Sequence, residues 1–239
     1  MGPIFQDRSD AGKFLAEKLL HHAHDPSLLV LALPRGGVPV GFQVARKLGA
    51  PLDVFVVRKL GVPGYEELAM GAIASGGIRV LNEETIQRLN IPSSAIEATT
   101  REEEQELARC EKAFRGSREP AQIERHTVIL VDDGLATGAS MKAAVRALRR
   151  LNPGYISVAV PIGSRDTCDQ FRSDVDELIC GDTPEPFFAV GTWYANFLPT
   201  TDEEVQNLLD RAAHERRVRR VQEHKEHKGH DQKEKAFAS

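Results

Sequence analysis

The chain has 239 residues, of which 41% are hydrophobic and 28% charged, as is typical of a globular protein with room for one sizeable α/β domain. The net charge of −4 is uneven: residues 211–239 hold nine Lys or Arg against five Asp or Glu, so the preceding residues carry −8. That acidic body disfavours a nucleic-acid-binding surface, and no apolar run is long enough for a membrane span. Three cysteines without metal-ligand spacing and no signal-peptide core favour a reducing cytoplasmic location.

The hydrophobic pattern of the first half predicts strands alternating with helices. Ser9 is expected to cap a first helix, and the apolar run at 28–33 is typical of a strand buried in a parallel sheet. A helix closed by Gly49 follows, and then a strand over 52–58. Two further short strands separated by a Gly-Gly pair at 76–77 predict a hairpin.

The second half continues the alternation after a charge-rich helix at roughly 96–115. Strands are expected at 127–131, 155–160 and 175–180, with helices after Gly138 and over 164–171. This order predicts an α/β fold with a mostly parallel central sheet flanked by helices. We expect one domain over 1–210, with its core at about 28–181, and a charged helical or disordered tail over 211–239.

The loop after the strand at 127–131 combines two acids with a turn of small residues. Thr137, Gly138, Ala139 and Ser140 lie where a helix begins, so free N–H groups and the helix dipole favour an anion there. The preceding carboxylates at 132–133 would repel a phosphate and need sugar hydroxyls or a metal instead. A ribose 5-phosphate satisfies both halves, whereas simple capping of the helix is the alternative interpretation.

The segment VILVDDGLATGAS, residues 128–140, resembles the phosphoribosyl-pyrophosphate signature of type I phosphoribosyltransferases, and its closest likeness is to the adenine enzymes. The resemblance implies Asp132 and Asp133 on the ribose hydroxyls and residues 136–140 around the 5-phosphate. It also implies Mg²⁺ held mainly through phosphoribosyl pyrophosphate, with the two aspartates as further candidate ligands. Gly134 departs from the family pattern, where an apolar residue is usual. Ala136 stands where hypoxanthine-guanine enzymes carry an aspartate, which disfavours a 6-oxopurine substrate.

The segment LPRGG, residues 33–37, places one cation beside two glycines. Arg35 and the amides of Gly36 and Gly37 can form a nest for a pyrophosphate, although a plain turn is the better interpretation of the tripeptide when it is taken alone. The segment is similar to the pyrophosphate loop of the same family. That likeness implies a non-proline cis peptide near Arg35–Gly36.

A third segment, 57–71, is typical of a flexible hairpin lid. Arg58 and Lys59 precede a glycine-flanked turn, as suits a lid that closes over a polyphosphate, and a solvated hairpin is the alternative. The pattern resembles the Arg-Lys opening of the family's catalytic loop and extends to Tyr65. Glu66 or Glu67 would then substitute for the glutamate with which adenine enzymes contact the base.

An aromatic cluster precedes the last helix. Trp193, Tyr194 and Phe197 could stack on a planar base in a small hood built from the terminal segments, and packing of the last helix is an equal alternative.

Taken together, the resemblance implies the type I phosphoribosyltransferase fold and transfer of phosphoribosyl to a nitrogenous base, with Arg35, Lys59, Asp132 and Asp133 as catalytic residues. A regulatory protein that binds phosphoribosyl pyrophosphate without turnover and a sugar-phosphate hydrolase remain alternatives. The expected partners are phosphoribosyl pyrophosphate, an unidentified base and, as one option for assembly, a second copy of the chain.

Overall fold

The computed structural model describes residues 2–237 and the side chains of residues 2–222. The helices are α1 (Arg8–Lys18), α2 (Gly37–Leu48), α3 (Glu83–Arg88), α4 (Ser93–Arg115), α5 (Ala139–Arg149), α6 (Arg165–Phe171) and α7 (Asp202–Phe237). The strands are β1 (Leu28–Ala32), β2 (Leu52–Val54), β3 (Val57–Val62), β4 (Tyr65–Ala74), β5 (Ile78–Leu81), β6 (Thr127–Val131), β7 (Tyr155–Ile162) and β8 (Glu177–Asp182).

A five-stranded parallel sheet in the order β2-β1-β6-β7-β8 forms the centre of the described chain, which confirms the predicted α/β class. The three inner strands, β1, β6 and β7, are almost wholly buried because helices cover both faces of the sheet. The paired strands β1 and β6 run in register from Leu28 opposite Thr127 to Ala32 opposite Val131. The carboxyl ends of the two strands are therefore level with each other, and the loops that follow them leave the sheet side by side.

The single strand predicted over 52–58 is wrong, because the chain changes sheets in the middle of that segment. The Phe55 N–H still bonds the Ala32 carbonyl at 2.9 Å. One residue later the Val56 N–H donates to the Ser75 hydroxyl, also at 2.9 Å. The chain then enters a second, antiparallel sheet in the order β3-β4-β5, which contains the predicted hairpin.

The first helix begins earlier than the sequence predicts. The Asp7 carboxylate accepts the N–H of Asp10 at 2.8 Å and caps α1 in the place assigned to Ser9. The Ser9 hydroxyl instead accepts a hydrogen bond from Gln43 on α2 at 2.8 Å, so it joins two helices. The end of α2 is as predicted, since Gly49 adopts the left-handed conformation with φ of 73°.

The last helix, α7, starts where Thr201 Oγ1 accepts the Glu204 N–H at 3.1 Å, and its backbone stays helical to Phe237. The helical alternative for the tail is thus the observed one over residues 211–237. None of the helices within residues 2–237 is both long enough and apolar enough to cross a membrane.

Two of the three cysteines pair, which the sequence analysis did not predict. Cys168 of α6 and Cys180 of β8 form a disulfide with their Cα atoms 6.6 Å apart, whereas Cys110 is a buried free thiol. The bond joins α6 to the edge strand of the parallel sheet.

Candidate active site

The two loops predicted to bind a sugar phosphate touch each other at the carboxyl ends of β1 and β6. A Cβ on Gly36 would overlap the carboxylate of Asp133, and one on Gly37 would lie 2.7 Å from the Val131 carbonyl oxygen. A side chain at either position would therefore push the loops apart. Glycine is needed here for the close approach of one loop to the other.

The cis peptide bond of the first loop joins Pro34 to Arg35, one bond before the position that the sequence analysis expected. The Arg35 guanidinium is about half exposed and pairs with Asp202, the first residue of α7. An anion that bound Arg35 would therefore take the place of this carboxylate.

The two adjacent acids are poorly compensated. Burial raises the pKa of both carboxyl groups, and the neighbouring charge of Asp133 raises the pKa of Asp132 further. Two contacts act in the opposite direction: the Asp133 N–H donates to Asp132 Oδ1 at 2.8 Å, and Arg8 Nε donates to Asp133 Oδ2 at 2.8 Å. One guanidinium thus faces two carboxyl groups, so a ligand that brings hydrogen-bond donors or a cation would relieve the excess negative charge.

Arg8 is the site residue that the sequence analysis missed. It comes from the first turn of α1, lies over the Phe197 ring at 3.8 Å from its centroid, and donates to the Leu198 carbonyl at 2.7 Å. It is separated from Asp133 by 125 positions in the chain and belongs to none of the motifs. The sequence offers only a weak signal for it, as the sole cation among the first twelve residues.

The start of α5 presents the donors expected of an anion site. The Lys142 N–H makes the first helical hydrogen bond, to the Gly138 carbonyl at 2.8 Å. The N–H groups of residues 139–141 come before this bond and therefore have no acceptor within the helix. Gly138 has φ of 72°, which turns the chain into the helix, and Thr137 and Ser140 are exposed beside it. Amides, hydroxyls and the helix dipole therefore converge on one face of the loop.

Neighbouring elements hold this loop in place. The Leu135 N–H donates to the Ile162 carbonyl at 2.9 Å, and Thr167 Oγ1 donates to the Ala136 carbonyl at 2.6 Å. Val190 fills the space beside Gly134, where a Cβ would overlap its methyl groups. The departure at Gly134 is therefore compensated by an apolar side chain from another part of the chain.

The phosphoribosyl transferase domain family matches residues 63–192 of the sequence. This chain belongs to the phosphoribosyltransferase family. The crystal structure of TT1426 from Thermus thermophilus is 38% identical in sequence, superposes with a TM-score of 0.77, and aligns over 87% of this chain and 98% of that chain.

Two curated proteins from Mycobacterium tuberculosis strains, provisionally named as phosphoribosyl transferases, are 46% identical over 209 residues. The alignment covers 87% of this chain and 47% of each relative, so the chain spans about half the length of these relatives.

Most of the predicted aromatic cluster packs in the interior. Trp193 and Tyr194 are buried, and the segment pairs with the N-terminus through a bridge between Phe5 and Tyr194. The Tyr194 hydroxyl donates to the Asp133 backbone carbonyl at 2.6 Å, so it holds the backbone of the acidic loop in place. These contacts are with the N-terminal segment and the acidic loop rather than with the last helix, and stacking of Trp193 or Tyr194 on a base stays a prediction.

The residues of the predicted lid contact partners outside the two loops. Arg58 Nε pairs with Glu103 Oε2 on α4 at 2.7 Å, and Lys59 lies 3.5 Å from Glu67 across the hairpin. Glu66, Glu67 and Tyr65 are exposed near the turn. Within the side chains described, no hydrogen bond or ion pair links Arg58 or Lys59 to the loops, so their roles at the site stay predictions.

Proposed function

We propose that the chain transfers a phosphoribosyl group from phosphoribosyl pyrophosphate to a nitrogenous base, releases pyrophosphate and uses Mg²⁺. The observation that carries this proposal is the contact between the glycines of the first loop and the acids of the second. If the first loop is a nest for one anion, this contact would bring that anion next to the two carboxylates, and the helix start that follows them would bind a second anion.

Each part of phosphoribosyl pyrophosphate would then bind its own set of residues. The 5-phosphate would bind the amides and hydroxyls of the 136–140 loop, through Ala136, Thr137, Gly138, Ala139 and Ser140. The ribose hydroxyls would donate to Asp132 and Asp133, which burial leaves short of hydrogen-bond donors. The pyrophosphate would bind Arg35 and the amides of Gly36 and Gly37, with Arg58 and Lys59 arriving from the hairpin.

The donor set suits Mg²⁺, which prefers oxygen ligands and is commonly held by one or two carboxylates together with substrate phosphates. Asp132 and Asp133 provide such carboxylates, and their incomplete compensation by Arg8 favours an additional cation. When bound, Mg²⁺ would supply positive charge that stabilises the departing pyrophosphate.

The chemical step would be displacement at C1 of the ribose. The bond from C1 to the pyrophosphate oxygen breaks, the base nitrogen forms the new bond to C1, and the ribose ring carries positive charge in between. Asp132 and Asp133 would stabilise that charge, while Arg35, Lys59 and the Gly36–Gly37 amides hold the leaving group. The proton that the base nitrogen carried passes to solvent. Closure of the hairpin would exclude water, which attacks the same carbon.

The acceptor base is the least determined part of the proposal. Ala136 has no side chain that can contact a base, so recognition moves to Glu66 or Glu67 on the hairpin and to the region of Trp193 and Tyr194. Both glutamates are exposed, and Glu67 lies 3.5 Å from Lys59 across the hairpin. A cytoplasmic location and a homodimer stay predictions.

The decisive experiment incubates the full chain with phosphoribosyl pyrophosphate, Mg²⁺ and a panel of purine and pyrimidine bases, and measures pyrophosphate and nucleotide. Pyrophosphate and nucleotide that appear together with one base would support transfer. Pyrophosphate formed equally without a base would instead indicate a hydrolase. Binding of phosphoribosyl pyrophosphate with no product for any base would indicate a regulatory protein.

Calorimetry of the variant Asp133→Asn tests the ligand assignment separately. We expect at least tenfold weaker binding of phosphoribosyl pyrophosphate, because the amide accepts ribose hydroxyls less well than a carboxylate does. Asp166→Asn, an exposed change on α6, is the matched control. Unchanged affinity in Asp133→Asn would mean that the aspartates serve only the local fold.

A further inference from the structure

Two histidines and a glutamate converge at a place remote from the two loops. His21 and His22 end a short 3₁₀ turn, Leu20–His22, that follows α1, and Glu177 is the first residue of β8. His21 Nε2 lies 2.8 Å from Glu177 Oε1, and His22 Nε2 lies 2.8 Å from Glu177 Oε2. All three ligand atoms lie within 4.8 Å of one another, so one ion could contact them together.

The position of the cluster separates it from the candidate active site. Glu177 stands opposite Ser157 at the amino end of the β7–β8 pair. The loops around Gly36 and Asp133 leave the carboxyl ends of β1 and β6. Because the strands are parallel, one site lies at the amino ends of the strands and the other at their carboxyl ends.

The carboxylate and one imidazole are held in position. The buried Ser157 hydroxyl donates to Glu177 Oε2 at 2.6 Å, as a supporting residue does for a ligating carboxylate. The His22 side chain is only 11% exposed and packs beside the Tyr155 ring, with the ring centroids 6.1 Å apart. His21 is about half exposed, which leaves room for water at a fourth coordination position.

We propose that His21, His22 and Glu177 form a binding site for a divalent transition metal of the zinc class, which ties the end of α1 to the edge strand β8. Two imidazole nitrogens and one carboxylate oxygen form a ligand set that zinc accepts, whereas Mg²⁺ prefers oxygen ligands and disfavours the two imidazoles. Zinc would bind the Nε2 lone pair of each imidazole, so each neutral ring would carry its proton on Nδ1. The three ligand atoms would then lie about 3.3 Å apart, the spacing of a tetrahedral zinc site.

The alternative is a hydrogen-bonded cluster that binds no metal. A titration with zinc must distinguish the two, but four histidines in the tail could also bind zinc. The tail histidines are His214, His224, His227 and His230. The starting protein for the test is therefore the full chain with these four residues changed to Asn. Isothermal titration with zinc chloride in the presence of millimolar Mg²⁺ should give one zinc per chain, and Mg²⁺ should not compete.

In that background, His22→Asn and, separately, the more exposed His21→Asn should each weaken zinc binding at least tenfold. His126→Asn changes a histidine elsewhere on the protein and should leave the affinity unchanged. Zinc should also raise the Tm of the starting protein by a few degrees and leave that of His21→Asn unchanged. Circular dichroism verifies the fold of each variant, and His21→Asn keeps the test valid if His22→Asn does not fold.

Two results would overturn the proposal: absence of a zinc equivalent in the protein without tail histidines, or equal zinc affinity in His21→Asn and His126→Asn. Either result would leave the cluster as hydrogen bonds between α1 and β8. Neither depends on catalysis, so the outcome is independent of the proposed transferase reaction.

Discussion

Two acidic sites of this protein differ in how completely the fold neutralises them. Asp53, in the edge strand β2, accepts Arg115 Nε at 2.9 Å on one oxygen and the Ala121 N–H at 2.9 Å on the other. The Val54 N–H adds a bond of 2.7 Å. Arg115 is itself buried and also pairs with Glu111 at 2.8 Å, so donors and acceptors are matched.

The acidic pair at the end of β6 lacks such matching. Asp132 and Asp133 share one guanidinium, from Arg8, and one of their few other donors is the backbone N–H of Asp133 itself. Burial leaves the pKa of both above the ordinary value. A buried acid with a complete set of partners thus serves the fold, whereas an incompletely partnered pair of acids at the carboxyl end of a central strand is a candidate for ligand binding.

The largest expected effect is on stability, at the matched site. Asp53→Ala would leave the buried Arg115 without its main counter-charge, and we expect a loss of about 3–5 kcal/mol in the free energy of unfolding. Urea denaturation measures this loss. Glu106→Gln breaks the exposed pair with Arg109 on the same helix, at 2.7 Å, and should leave the stability unchanged within error. Equal losses in both variants would show that the Asp53 pair is no more than a surface contact.

The next effect is on ligand binding, at the unmatched site. In Gly36→Ala, the new Cβ would displace the Asp133 carboxylate from its present position against the first loop. We expect binding of phosphoribosyl pyrophosphate to weaken by at least tenfold, about 1.4 kcal/mol, while the protein stays folded. Gly2→Ala, where a Cβ would meet nothing within 4 Å, is the control for adding a methyl group in titration calorimetry. Normal affinity in Gly36→Ala would contradict the close coupling of the loops.

A smaller effect follows from the raised pKa of Asp132. Because burial and the charge of Asp133 raise its pKa in the folded state, Asp132 destabilises the fold once the pH rises above the ordinary value of 3.8. Asp132→Asn cannot ionise, so we expect it to raise the free energy of unfolding at pH 7 by about 0.5–2 kcal/mol while weakening ligand binding.

The sign of the pH dependence makes the Asp132 prediction specific. The folded wild-type protein binds the extra proton more tightly than the unfolded chain does, so the advantage of Asp132→Asn should grow as the pH rises through the raised pKa. It should vanish below about pH 3.8, where Asp132 is protonated in both states. Denaturation curves for both proteins between pH 4 and pH 8 measure the difference. A gain that does not depend on pH would mean that ionisation is not its cause.

The sequence predicts the parts of this molecule that depend on neighbouring residues. The apolar runs of β1 and β6, the left-handed cap at Gly49 and the helix start after Gly138 follow from local pattern and turn chemistry. The break after Val54 does not, because it depends on a bond between Val56 and the hydroxyl of Ser75, nineteen positions away.

The candidate site, too, can be predicted from the sequence only in part. The residues of both loops could be named from their motifs, but their mutual contact could not, because it depends on the register of β1 against β6. The support of Asp133 by Tyr194, and of the Gly134 backbone by Val190, joins segments far apart in the chain. Such contacts are set by tertiary packing and leave no periodic signal in a single sequence.

The smallest expected effect concerns Arg8, the one cation that links the acidic pair to the terminal segments within the described side chains. The hydrogen bond from Arg8 lowers the pKa of Asp133 against the opposing effect of burial, so Arg8→Gln should raise that pKa further. A larger fraction of Asp133 would then be protonated at pH 6 than at pH 8. We expect phosphoribosyl pyrophosphate to bind about two- to fivefold more weakly at pH 6, with a smaller change at pH 8.

Calorimetry at the two pH values tests this expectation, with Arg165→Gln as a control because its pair with Glu185 is exposed. Equal weakening at both pH values would point away from the ionisation of Asp133. It would favour the contacts of Arg8 with Phe197 and the Leu198 carbonyl, through which the same side chain holds the segment before α7 against α1. In that case Arg8 would serve the site through packing rather than through its charge, unlike Arg115, which is the charge partner of Asp53.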